Sequence, residues 1–237
     1  MNKIVNDVDL NLMEGEIVAP KALDRVEDAI AAIARGEMVI VVDDADRENE
    51  GDLIMAADAV TPADINFMAT EGRGLVCVSL SAERLERLDL PQMVPDNTEY
   101  LCTGFTVTCD LRKGTSTGIS ASDRARTIRA LADEERVPVD FNRPGHVFPL
   151  RAHPEGVLGR PGHTEAALDL ARLAGRYPGG VLCEIALPDG EMARLSDLAA
   201  FARRYGLKLM SIADLIAWRR ANELSNCMCQ VVEAVHL

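Results

Sequence analysis

The residues densest in chemical potential form the run Asp43-Asp44-Ala45-Asp46-Arg47-Glu48-Asn49-Glu50-Gly51-Asp52, six acids in ten positions behind the apolar segment Met38–Val42. Carboxylates this close repel unless a cation or hydrogen bonds absorb the field. A hard divalent cation, Mg²⁺ or Mn²⁺, would do so, taking one or two carboxylates together with water and substrate oxygens. The spacing is not that of an EF-hand loop. A solvated surface loop is the competing reading of any charge run. Against it stand Arg47, embedded among the acids, and Gly51, which suits a tight chain reversal. If the apolar strand ends near Val42, the acids gather at its C-terminal edge, where ligands commonly bind in layered α/β folds.

The second concentration is the tetrapeptide Arg-Pro-Gly-His, present at Arg143–His146 and again at Arg160–His163. The chain has only four histidines, and His146, His153 and His163 lie in or between these copies. Proline limits the backbone and glycine frees it, so each copy predicts a defined turn that holds an imidazole. The second copy runs into Thr164 and an Ala/Leu helix. Arg160, Pro161, Gly162, His163 and Thr164 therefore end at a helix N-terminus, with free N–H groups beside a guanidinium: a seat for phosphate. His146 precedes Val-Phe-Pro, without a helix signal, and reads as a residue lining a cleft. His153 reads as a surface residue. A three-histidine zinc site lacks supporting spacing.

Two further features stand out. Glu184 interrupts the strand Val-Leu-Cys-Glu-Ile-Ala-Leu beside the apolar Leu182 and Ala186, so it is poorly solvated, meets a cation, or lies on an edge strand facing water. Lys113–Ser120, rich in glycine and hydroxyls, could help hold an anionic sugar but lacks the ending of a P-loop.

The elements that position these groups follow from period and punctuation. Helices are expected at Asp24–Arg35, from Thr61-Pro62-Ala63-Asp64 onward, at Ala82–Leu88, from Ser120 to about Ala132, and at Thr164–Ala174, Ser196–Tyr205 and Ile212–Asn222. Strands are expected at Met38–Val42, Gly74–Leu80 and Lys208–Ser211. Cys102–Asp110 is expected to alternate, with Phe105, Val107 and Cys109 on one face. Val181–Leu187 and Glu191–Leu195 form a hairpin about Pro188-Asp189-Gly190. Together they predict an α+β (mixed α/β) layered domain, a mixed β-sheet covered by helices. Residues 1–22 read as an N-terminal arm, 23–222 as one catalytic domain, and 223–237 as a C-terminal tail.

The net charge of −13 argues against nonspecific binding to nucleic acid or to an anionic membrane surface. No apolar stretch reaches a transmembrane length, and no targeting segment is seen, so a cytoplasmic location is expected. Of the six cysteines, Cys77, Cys102, Cys109 and Cys183 fall in expected strands and read as small core residues. Cys227 and Cys229 lie in the tail with His236.

On these residues the sequence resembles the 3,4-dihydroxy-2-butanone 4-phosphate synthases of riboflavin biosynthesis. The motifs are DDADRENEGDL at 43–53, TGFTVT at 103–108, GTSTGISASDR at 114–124, NRPGHVFPLRA at 142–152, GRPGHTEAALDLARLAG at 159–175 and GVLCEI at 180–185, covering about residues 23–220. The resemblance implies a lyase converting ribulose 5-phosphate to 3,4-dihydroxy-2-butanone 4-phosphate and formate. It implies Glu48 and His163 as ligands of Mg²⁺ or Mn²⁺. Arg47, Glu48, Asp52, Glu184 and the Arg160–Thr164 turn would bind substrate, and His146 and Glu184 would be essential to catalysis. It also implies a homodimer with sites near the subunit interface. In bifunctional relatives a GTP cyclohydrolase II domain follows; none is expected within these 237 residues. The alternatives are another metal-dependent sugar-phosphate isomerase or lyase, or a non-catalytic module that binds metal and anions.

Overall fold

In the computed structural model, which describes residues 23–222, seven strands form one mixed sheet. They are β1 (Val39–Val42), β2 (Gly51–Ala56), β3 (Cys77–Leu80), β4 (Cys109–Leu111), β5 (Phe141–Arg151), β6 (Gly179–Glu184) and β7 (Lys208–Ser211), in the order β4-β5-β3-β6-β2-β1-β7. β1/β7 and β3/β5 are parallel, and the other four pairings are antiparallel. The helices are α1 (Val26–Ala34), α2 (Pro62–Phe67), α3 (Ala82–Arg87), α4 (Ala121–Leu131), α5 (His163–Leu173), α6 (Leu195–Tyr205) and α7 (212–222), with a π-turn at Met68–Gly72 continuing α2. The arm at 1–22 and the tail, with Cys227, Cys229 and His236, lie outside the described residues. Among the described residues no helix is long and apolar enough to cross a membrane.

The helix starts follow the local chemistry. Thr61 Oγ1 accepts from Asp64 N–H while the Asp64 carboxylate accepts from Thr61 N–H, a reciprocal cap with Pro62 at the first helical position. Ser120 caps α4 by accepting from Asp123 N–H, and Ser211 caps α7 by accepting from Asp214 N–H.

Three expectations are corrected. The stretch 102–110 is not an alternating strand. Regular pairing begins only at Cys109, and Thr106 is buried while Phe105 and Val107 are half-buried. The Thr106 hydroxyl donates to the Pro149 carbonyl at 2.9 Å, so a polar side chain is satisfied inside the sheet. Cys102 accordingly lies in an exposed turn. Arg143–His146 is strand rather than turn: a Cβ on Gly145 would lie 2.1 Å from the Cys109 carbonyl carbon, so glycine serves close approach at a bulge. Gly51 and Asp52 belong to β2, and Asn49, at φ 55°, takes the left-handed position in the reversal. β2 is buried on both faces and therefore lacks a period-2 signature.

α5 is the element on which the site rests. It packs on β6, β2 and β3, and its Ala-rich surface lets it come close. A Cβ on Gly180 would lie 2.5 Å from the Ala167 carbonyl oxygen. The far side of α5 is tied down by buried Asp169, which accepts from Arg219 of α7 at 2.7 Å and from Val157 N–H at 2.9 Å. Gly180→Ala should cost about 1–3 kcal/mol by overpacking against helix backbone, lowering the melting temperature by roughly 2–4 °C per kcal/mol. Thermal melts of wild type and variant check this.

Candidate active site

The acidic run is the connection from β1 to β2, and its first acid organises it. Asp43 Oδ2 accepts from Arg47 Nη1 at 2.9 Å and from Glu48 N–H at 3.0 Å, while Oδ1 accepts from Glu50 N–H at 2.9 Å. Arg47 Nη1 also reaches Glu48 Oε2 at 2.5 Å. On the far side, Arg194 at the start of α6 donates to the backbone carbonyls of Glu48 and Asn49. The loop is a folded cage rather than a solvated charge run.

Glu48 points at His163, the first residue of α5. His163 Nδ1 lies 3.3 Å from Glu48 Oε2 and 3.9 Å from Asp52 Oδ1. Ligand atoms of Asp43, Glu48 and His163 fall within 4.8 Å of one another. Because three donors already occupy the Asp43 oxygens, Glu48 and His163 are the better-suited ligands and Asp43 the better scaffold. His163 Nε2 and Asp52 Oδ1 are buried and have no hydrogen-bond partner among the described residues. Two orphaned buried atoms beside a carboxylate, one an oxygen and one an imidazole nitrogen that offers a lone pair once His163 sheds its proton, suit a divalent cation.

The charges of the bare site are strongly coupled. The hydrogen bond from His163, with help from Arg47, lowers the Glu48 carboxyl to about 2. Burial raises Asp52 to about 7, with Glu184, Glu48 and Glu50 adding repulsion against the pull of His163. Burial alone would lower His163, but Asp52 and Glu48 outweigh it and lift the imidazole to about 9.

Beside this cluster the second Arg-Pro-Gly-His copy ends at the start of α5, as its sequence predicts. Gly162 precedes α5 and provides no side-chain cap, leaving the first-turn N–H groups facing the pocket. A Cβ on Gly162 would lie 2.5 Å from Arg160 Nη1 and 3.0 Å from Arg47 Nη2, so two guanidiniums close over this glycine. Glu184 enters from the central strand β6, directly opposite Asp52 in the β2/β6 register, and accepts from Leu75 N–H at 2.8 Å. The edge-strand alternative is thereby excluded. Arg47, Glu48, Asp52, Arg160, His163, Thr164 and Glu184 line one cavity of about 240 Å³, together with Glu50, Cys77, Glu99, Thr103 and Phe105.

A model of the family described as 3,4-dihydroxy-2-butanone 4-phosphate synthase matches residues 27–218. The chain belongs to the 3,4-dihydroxy-2-butanone 4-phosphate synthase family. It is 62% identical over 194 residues to the synthase of Agrobacterium fabrum, covering 82% of this chain and 91% of that protein. It is 57% identical over 214 residues to the riboflavin biosynthesis protein RibBA of Aquifex aeolicus, covering 90% of this chain but 52% of that one. A crystal structure of the synthase in complex with two magnesium ions superposes with a TM-score of 0.81 at 46% identity, covering 85% of this chain and 99% of the other. The two-domain synthase RibBX of A. baumannii superposes with a TM-score of 0.80 at 53% identity, covering 83% and 58%.

Within this synthase fold His146 stands apart from the cavity. It lies on β5, two strands from β6, so its backbone is about 10 Å from that of Glu184. Its Nδ1 is 2.7 Å from Asp110 Oδ2 and its N–H donates to Asp110 Oδ1, which aims Nε2 outward on a side chain 43% exposed. Sequence reasoning missed Asp110, although an acid closing an apolar segment was a readable signal. It also missed Asp43 as a hub and Arg194, for which no local signal exists. The Lys113–Ser120 loop does not line the cavity; Ser116 and Gly118 fold back onto Asp123. His153 is half-buried, its ring packed over Gly159.

A pH dependence follows for the metal-free protein. The raised His163 contributes stability that is full below about 6.5 and lost as pH rises through about 9. The raised Asp52 contributes stability that is full below about 3.8 and lost as pH rises through about 7. Both act in one direction, so the melting temperature in chelator should fall between pH 6.5 and 9. Saturating Mg²⁺ should flatten that slope. Melts in EDTA and in Mg²⁺ across this range check it.

Proposed function

We propose that this chain, through a single catalytic domain at 23–222, converts ribulose 5-phosphate to 3,4-dihydroxy-2-butanone 4-phosphate and formate. The observation carrying this reading is the convergence of Glu48, His163, Asp52 and Glu184 with the Arg160–Thr164 turn in one cavity. An anion seat beside a carboxylate–imidazole cluster suits a phosphorylated sugar whose reacting carbons bear a ketone and hydroxyls.

The roles follow from position. Glu48 and His163 hold a divalent cation, Mg²⁺ or Mn²⁺, which when bound supplies Lewis acidity toward the ketone and hydroxyl oxygens. Arg160 and the first-turn N–H groups at Gly162–Thr164 grip the phosphate. Arg47, Glu48 and Asp52 contact the sugar. Glu184, anchored by Leu75 N–H, faces the same space and moves or holds protons there. His146 is the second proton-transfer group, its tautomer set by Asp110. Its separation from the cavity supports a homodimer in which sites lie at the subunit boundary.

With ribulose 5-phosphate and Mg²⁺ the protein should release formate in step with ketose consumption, and turnover should stop in excess chelator. Ketose isomerisation without formate would overturn the reading. Glu184→Gln and His146→Ala should each lower kcat by about 10²–10⁴-fold with the fold intact. Arg160→Ala should chiefly raise KM. Steady-state kinetics with circular dichroism controls read all three.

A further inference from the structure

Glu165, at the third position of α5, is a buried carboxylate that the mechanism does not use. It is 1% exposed. A glutamate at this position ordinarily reaches back to the N–H of the residue before the helix. Here Gly162 N–H donates to the Arg160 carbonyl instead, and Glu165 reaches further. Its Oε2 accepts from Arg160 Nη1 at 2.9 Å, and its Oε1 accepts from His153 N–H at 3.0 Å. Both oxygens are thus engaged, one on the guanidinium and one on the turn leading to it. Arg160 Nη2 donates outward to the Leu101 carbonyl at 3.2 Å and the Thr103 hydroxyl at 3.1 Å. The guanidinium plane is therefore fixed on two sides, over Gly162 and beside Arg47 Nη2.

We infer that Glu165 is a positioning residue for the phosphate end of the substrate. It holds Arg160 in the plane that meets the free N–H groups of α5, in a chain whose field is otherwise hostile to an anion. The inference rests on the proposed reading of this cavity as a sugar-phosphate site. A buried acid this close to a phosphate would by itself weaken binding. It improves binding only if the orientation it imposes on Arg160 outweighs its charge. A role confined to propping the His153–Gly159 turn makes the opposite prediction, because removing the charge then leaves phosphate affinity equal or better.

The test is steady-state kinetics with ribulose 5-phosphate and Mg²⁺ on wild type, Glu165→Gln, Arg160→Ala and the double variant, with melting temperatures alongside. Glu165→Gln has the same shape and keeps an acceptor for His153 N–H, so it is the variant expected to fold. Loss of one charge-assisted hydrogen bond should raise its KM about ten- to hundredfold while kcat changes far less. The double variant should be no worse than Arg160→Ala, since Glu165 acts through Arg160. An unchanged or lower KM in Glu165→Gln, or penalties that multiply in the double variant, would overturn the inference while wild-type turnover leaves the functional reading standing. Absence of turnover in wild type would overturn both.

Discussion

The structure is organised around a repulsion. Asp43, Glu48, Glu50, Asp52 and Glu184 are gathered at one end of adjacent strands, several of them shielded from water. Two unit charges 4 Å apart at an effective dielectric of 20 interact by about 4 kcal/mol. That is comparable with the net stability of a whole domain, about 5–15 kcal/mol. Such a cluster persists only if counter-charges are built in. Arg47 bridges Asp43 and Glu48, and His163 is pinned between Glu48 and Asp52. Asp52 Oδ1 and His163 Nε2 are nonetheless left without a hydrogen-bond partner among the described residues.

The fold meets this constraint by bringing a helix start to strand ends. α5 reaches the sheet because Gly180 and the alanines of its own surface permit close approach, and Asp169 fixes its outer side through Arg219. Its N-terminus then delivers His163 to the acids and its N–H groups to the cavity. Positive helix-end potential and two guanidiniums lie on one side, and carboxylates on the other. One small cavity can therefore accept an anion and a cation at once, the electrostatic requirement of a metal-assisted reaction on a sugar phosphate.

Local chemistry explains which parts were readable. The cap at Thr61-Pro62-Ala63-Asp64 and the helix starting after Gly162 each require a few adjacent residues, and both are present as expected. The mixed layered α+β architecture also followed from local patterns. β2 was not readable, because its first two residues, Gly51 and Asp52, continue the acidic run and leave only the short apolar stretch 53–56 as a strand signal. The segment 102–110 misled, because Thr106 satisfies its hydroxyl on Pro149 and so hides where a hydrophobic residue was expected. The two Arg-Pro-Gly-His copies look alike in sequence, yet one ends in a helix and the other lies in strand. Pairing with β4, distant in sequence, decides that difference. The partners Asp110 and Arg194 likewise depend on contacts between remote segments.

The central claim is that the acids of the β1–β2 connection and His163 form one cation site. The most direct measurement is a Mn²⁺ titration of chelator-stripped protein followed by electron paramagnetic resonance, comparing wild type with Glu48→Gln and His163→Ala. Tight Mn²⁺ binding in wild type, weakened in both variants and competed by Mg²⁺, is the predicted result. Mn²⁺ binding that is undiminished in either variant would contradict the account.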